Sequence, residues 1–166
     1  MEKILISACL LGERVKYHGG HALVENSTLD QWRKEERLVI ICPEVSAGFP
    51  TPRRPSEIIG GGDGEDVLSQ SAKILNHDGT DVTDGYIAGA KNALALAIQH
   101  QIKIAILKEN SPSCGSSLIY DGTFTGKKRS GKGTTSALLA ANGIRIFSEF
   151  EIHEALILIT KLEAGI

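Results

Sequence analysis

Lys3-Ile4-Leu5-Ile6-Ser7-Ala8-Cys9 opens the chain, and its reading decides the fold. The run is short, apolar and β-branched, it does not alternate with polar residues, and it breaks into the Leu10-Leu11-Gly12 turn. A strand that is apolar at every position is buried on both faces, as in a parallel sheet covered by helices on each side. Three further runs share this pattern, Arg37–Cys42, Ile102–Leu107 and Ile144–Phe147. Helical patterns lie between and after them. Asn26-Ser27 caps a helix reaching about Glu36, and Thr83-Asp84 starts one to Gln99 with an alanine-rich face. Thr134-Thr135 starts a third that stops at Asn142-Gly143, and a last helix covers about Phe150–Ala164. This alternation predicts an α/β fold: a Rossmann-like three-layer sandwich with a mostly parallel sheet and right-handed crossovers. Residues Gly48–Asp81 interrupt it with Pro50, Pro52, Pro55 and the triplet Gly60-Gly61-Gly62. They read as a β-hairpin insertion, with strand-like pieces at Val67–Ser69 and Lys73–Asn76, packed against the sheet.

Composition narrows the classes. The 166 residues are 42% hydrophobic, enough for one domain spanning 1–166 whose core needs no disulfide or metal to fold, and they exclude intrinsic disorder. Eighteen basic residues stand against 20 acidic, so no global positive field exists to hold nucleic acid stably. The amino-terminal apolar run is far shorter than the roughly 20 residues of a membrane span, and no cleavage site closes a signal peptide. A cytoplasmic protein with no membrane partner is expected. Three cysteines, an odd number, then argue for free, ligating or catalytic thiols.

Their positions carry the chemistry. Cys9 follows the first predicted strand, Cys42 ends the second, and Cys114 lies shortly after the third. In open α/β sheets, ligands bind outside the carboxyl ends of strands. A single strand-end cysteine is ordinarily a small buried hydrophobe; all three at one edge, with none elsewhere, favour a ligand set. Three thiolates make a shell one ligand short, and soft thiolates select zinc or iron–sulfur clusters. A 4Fe-4S cluster with one exposed iron is the sharper option, and a three-cysteine zinc hydrolase the alternative. Glu44, two residues after Cys42, is a candidate general acid or base. In the rigid Ser111-Pro112-Ser113-Cys114-Gly115-Ser116 turn, Ser111 and Ser113 can bond sulfur or substrate, and Lys108 and Asn110 can orient a polar ligand. The basic stretch Lys127–Lys132 sits in a near-match to a phosphate-binding loop, with Gly133 where that loop needs Ser or Thr. That near-match leaves an NTPase as a weak rival and a substrate phosphate at the helix start near Thr134-Thr135 as an expectation.

Ser7-Ala8-Cys9-Leu10-Leu11-Gly12, Cys42-Pro43-Glu44, Asp84-Gly85 and Ser111-Pro112-Ser113-Cys114-Gly115 together resemble the thiouracil desulfidase (TudS-like) family of short bacterial proteins. The likeness extends to Gly131-Lys132-Gly133 and Asn142-Gly143-Ile144. It implies a Rossmann-like fold, a 4Fe-4S cluster held by Cys9, Cys42 and Cys114, and an enzyme that removes sulfur from a small-molecule thiopyrimidine. It also implies acid/base and substrate-handling roles for Glu44 and Ser111. The expected reaction is hydrolytic: the substrate sulfur meets the open iron, a water activated by Glu44 or Ser111 attacks the carbon, and hydrosulfide leaves without net oxidation. Many relatives read Arg-Tyr-Asp-Gly where this chain has Lys16-Tyr17-His18-Gly19, so substrate preference is expected to differ. A sulfur or iron carrier is the non-enzymatic alternative.

Overall fold

A computed structural model describes all residues, Met1–Ile166. The apolar runs form β1 (Ile4–Ser7), β2 (Leu38–Ile41), β5 (Ile104–Leu107) and β8 (Arg145–Ser148) of one sheet. Its order is β2-β1-β5-β8 and every pairing is parallel, with Ile4 opposite Leu38 on one side and Ile104 on the other. The sheet proper is thus wholly parallel. Two antiparallel hairpins lie outside it.

Alternate residues of the central strands serve two cores, the period-2 consequence of burying both faces. Ile4, Ile6, Ile104 and Ile106 pack against Leu29 and Trp32 of α1 (Ser27–Lys34) and Ile152, Ala155 and Ile159 of α6 (Ile152–Glu163). Leu5, Ala105 and Leu107 face Ala93 and Ala97 of α4 (Thr83–Gln99) and Leu139 of α5 (Thr134–Ala141). The small alanines bring α4 close to the sheet. Helix α1 begins where Asn26 Oδ1 accepts the N–H groups of Thr28 and Leu29 at 2.9 and 3.2 Å. Burial of Trp32 and Leu29 on its inner face stabilises it by about 1.5–3 kcal/mol each.

The chain runs from β1 outward to β2, then returns to place β5 on the other side of β1. The strand order reverses there, and the loops leaving the strands splay apart to open a crevice.

The insertion differs from the sequence reading in two respects. Its hairpin pairs β3 (Ser56–Ile59) with β4 (Lys73–Asn76), whereas Val67 and Leu68 belong to a short helix, α3 (Gly64–Leu68). Asp63 and Asp66 cap that helix reciprocally, which holds the apolar pair in helical turns instead of a strand. Through Ile58 and Ile74, and together with Val67 of α3, the hairpin also packs on Tyr86 of α4 and on Ile119, and not on the four-stranded sheet. A second hairpin, β6 (Leu118–Tyr120) with β7 (Lys128–Ser130), carries part of the basic stretch. No helix is long and apolar enough to cross a membrane.

Candidate active site

Each cysteine reaches the crevice by a different device. Cys9 sits in a 3-10 turn, Ala8–Leu11, that follows β1 directly. Cys42 follows β2 and precedes the short helix α2 (Pro43–Ser46), which starts with proline at its first position. Gly89 of α4 lies under that turn: a Cβ there would stand 2.5 Å from the Pro43 carbonyl oxygen, so only glycine admits this approach. Cys114 lies in the loop after β5, and that loop is built more elaborately.

Glu109 is 5% exposed and accepts five hydrogen bonds. They come from the N–H and hydroxyl of Ser116 (2.8 and 2.9 Å), the N–H and hydroxyl of Ser117 (3.0 and 2.9 Å) and the Leu118 N–H (3.0 Å). Ser111 Oγ accepts the N–H groups of Ser113 and Cys114 at 3.0 and 3.1 Å. The first N–H groups of α5 are turned onto the same loop. Thr134 donates to the Pro112 carbonyl and Thr135 to that of Ser113, both at 2.9 Å, and Gly133 donates to that of Gly115 at 2.8 Å. A Cβ on Gly133 would stand 2.4 Å from the Ser113 oxygen.

This arrangement corrects the phosphate reading. The amides that would hold a phosphate at the start of α5 are spent on the Cys114 loop, and Lys128–Ser130 form strand β7 instead of a phosphate-wrapping loop. Arg129 bonds the Gly61 and Ser130 carbonyls, and Lys128 Nζ lies 5.8 Å from the Tyr120 ring centroid.

Cys9, Cys42 and Cys114 line one cavity of about 390 Å³, within the range of small-molecule sites. Glu44, Ser111, Ser113, Lys108 and Asn110 line it too, so all eight residues singled out from sequence meet in one place. Within it, Ser113 Oγ bonds Thr135 Oγ1 at 3.1 Å and lies 3.8 Å from Cys114 Sγ. Lys108 Nζ is paired with Glu149 at 2.8 Å and also donates to the Glu109 carbonyl. No three His, Cys, Asp or Glu side chains converge closely enough to hold a single metal ion. Three soft thiolate donors on one cavity would suit an iron–sulfur cluster.

The thiols are shielded. Burial pushes Cys9 up to about 11, and the neighbouring Cys42 adds to the rise. Burial likewise raises Cys42, against the opposing N–H groups of Val45 and Glu44. Cys114 is raised furthest by burial, with the Ser7 hydroxyl pulling the other way. Burial thus favours the neutral thiol at all three positions, and a thiol gives up its proton when it ligates a metal.

Three contributors lacked a sequence signal. Arg53, from the insertion, donates through Nε to Glu44 Oε2 at 2.7 Å and is itself held by the Val15 carbonyl at 2.8 Å. Tyr86 of α4 lies buried beside Glu44, and its hydroxyl is raised well above the usual phenol range by burial and then by the Glu44 charge. Glu109 is the third. Tyr86 meets Glu44 only through the packing of α4, and Arg53 and Glu109 are polar residues in irregular loops whose partners no periodic pattern reveals.

The model of the 2-thiouracil desulfurase family matches residues 4–151. This chain belongs to that family. The desulfurase-family chain is 50% identical over 153 residues to the uncharacterized protein YbbK of Bacillus subtilis (strain 168), covering 92% of this chain and 99% of the relative. It is also similar to the solved structure of a 4Fe-4S-dependent thiouracil desulfidase, TudS, with a TM-score of 0.88 and 41% identity. That likeness covers 96% of this chain and 99% of the other. Within the family match fall all three cysteines, Glu44 and the Ser111–Cys114 turn.

Proposed function

We propose that this protein is a cytoplasmic thiouracil desulfidase that removes sulfur hydrolytically from a thiopyrimidine at a 4Fe-4S cluster held by Cys9, Cys42 and Cys114. The observation that carries the reading is the convergence of three thiols, from three separate loops, on one cavity. Membership in the desulfurase family and the likeness to a 4Fe-4S-dependent enzyme support it. A 4Fe-4S cluster held by Cys9, Cys42 and Cys114 would supply a thiophilic Lewis acid for the thiocarbonyl sulfur.

The residues divide the remaining work. Glu44 takes the proton of the attacking water, positioned for this by the Arg53 guanidinium at 2.7 Å. Ser111 acts as a donor: its oxygen already accepts two N–H bonds, so its O–H points its proton outward to the substrate or the leaving sulfur. Tyr86, neutral and buried, is a second donor beside Glu44. Water adds to the thiocarbonyl carbon, the C–S bond breaks, and uracil and hydrosulfide leave with no change in total oxidation state.

Anaerobic reconstitution with iron and sulfide, followed by incubation with 2-thiouracil, tests the reading. Hydrosulfide and uracil in equal amounts are expected from the wild type, and neither from Cys9→Ala, Cys42→Ala or Cys114→Ala. Wild-type turnover by any of the three variants overturns it.

A further inference from the structure

Five residues other than glycine have positive φ: Glu36, Gln70, Gln101, Asn110 and Phe124. Glu36, Gln70 and Gln101 each stand two residues beyond the last residue of α1, α3 or α4, where a left-handed residue commonly closes a helix. Asn110 (φ 74°) and Phe124 (φ 57°) close no helix, and both line the cavity. Backbone of this kind, held where no cap requires it, is concentrated at binding sites. Asn110 is pinned from both sides. Its N–H donates to the Leu118 carbonyl at 3.2 Å, it bridges to Ile119, and the preceding Glu109 is fixed by five bonds.

Its side chain is the second observation. Asn110 Oδ1 is the sole buried side-chain nitrogen or oxygen with no hydrogen-bond partner in the protein. Such an orphan costs about 1–3 kcal/mol, and it needs an explanation. Here the residue lines the cavity, immediately before Ser111 and on the loop of Cys114. Turning the amide into the cavity breaks no bond of Oδ1, because it makes none.

We propose that Asn110 reads the ring edge of the substrate. Oδ1 accepts the ring N–H that adjoins the thiocarbonyl, and Nδ2 donates to the carbonyl on the far side of that N–H. The proposal rests on the thiouracil reading above. In 2-thiouracil and in its 4-thio isomer alike, N3–H is flanked by one C=S and one C=O, so a single primary amide serves both. N1 lies off this edge, and a substituent there is tolerated.

The test measures binding of uracil, 1-methyluracil and 3-methyluracil to the cluster-loaded protein by titration calorimetry, alongside desulfuration of 2-thiouracil. Wild type is expected to bind uracil and 1-methyluracil alike and 3-methyluracil at least ~10-fold more weakly, the value of one unmade buried bond. Asn110→Gly is the decisive variant, since glycine is at ease at positive φ but lacks the amide. It is expected to lose the preference, with KM for 2-thiouracil raised more than kcat is lowered and iron content unchanged. An Asn110→Gly protein that keeps wild-type discrimination overturns the proposal and leaves Asn110 a purely backbone role. So does a wild type that desulfurates 2-thiouracil yet binds 3-methyluracil as tightly as uracil, and that outcome leaves the thiouracil reading standing. A cluster-loaded wild type that neither binds uracil nor desulfurates 2-thiouracil overturns both.

Discussion

Glu44 and Glu109 border the same cavity, one beside Cys42 and the other ahead of Cys114, and the fold commits them in opposite ways. Glu109 has no cation within salt-bridge reach, and both oxygens are filled by amides and hydroxyls of its own loop. Glu44 has one cationic partner, brought from the insertion, and a phenol beside it. A carboxylate whose lone pairs are all occupied holds a loop; one paired at a single oxygen is available to take a proton. Residue type alone assigns neither role.

The comparison is sharpened first at Glu44. Glu44→Gln keeps shape and loses the proposed base, so kcat is expected to fall by roughly 10²–10⁴-fold, with iron content and thermal midpoint near wild type. Sulfide release and iron analysis on the same preparation check this. Glu109→Gln should do the reverse. An amide placed among five donors loses charged hydrogen bonds and sets N–H against N–H, costing on the order of 3 kcal/mol. For a chain of this size that lowers Tm by roughly 6–12 °C, and cluster retention falls with it. If Glu109→Gln loses activity at full stability and full iron content, the division between the two carboxylates is wrong.

Acidity separates them as well. Burial works to raise Glu109, but the hydrogen bonds from Ser117, Leu118 and Ser116 outweigh it and hold the group below the usual 4.5. Its folded value is therefore lower than its unfolded one. The stability it contributes is whole above about pH 4.5 and is lost as pH falls through the lower, folded value. Denaturant midpoints between pH 6 and 3 should show a loss that Glu109→Gln lacks.

Arg53→Lys is a smaller change. The cation remains but the guanidinium fork to Glu44, Val15 and Pro50 goes, and kcat/KM should fall by about tenfold with Tm little altered. Least affected is the basic hairpin. Because the α5 amides are already bonded, a 5′-phosphate on the substrate and a Lys132→Ala change are both expected to leave turnover unchanged.

Much of this geometry is legible in the sequence. Strands such as Ile4–Ser7 and Ile104–Leu107 announce themselves because burial on both faces demands apolar residues at every position, and the parallel order then sends Cys9, Cys42 and Cys114 to one edge. The rest depends on pairing, capping and loop hydrogen bonds that hydrophobic periodicity does not encode. The pairing of Ser56–Ile59 with Lys73–Asn76 depends on packing against Tyr86 and Ile119, not on either segment alone. Val67-Leu68 resembles a strand until the reciprocal capping by Asp63 and Asp66 is weighed. Lys128–Ser130 is strand by pairing and loop by composition. Glu109 sits beside Lys108 and Asn110, and nothing local distinguishes it from a solvated glutamate.

The central claim is that three thiols hold a cluster whose fourth iron belongs to the substrate. The most direct test counts metal and sulfide in anaerobically purified protein and follows one iron as 2-thiouracil is added, by Mössbauer spectroscopy. About four iron and four sulfide per chain are expected, with a single iron site shifting on substrate addition and unchanged in a cluster-loaded sample without it. A colourless protein that carries one zinc per chain and still releases sulfide from 2-thiouracil contradicts the account.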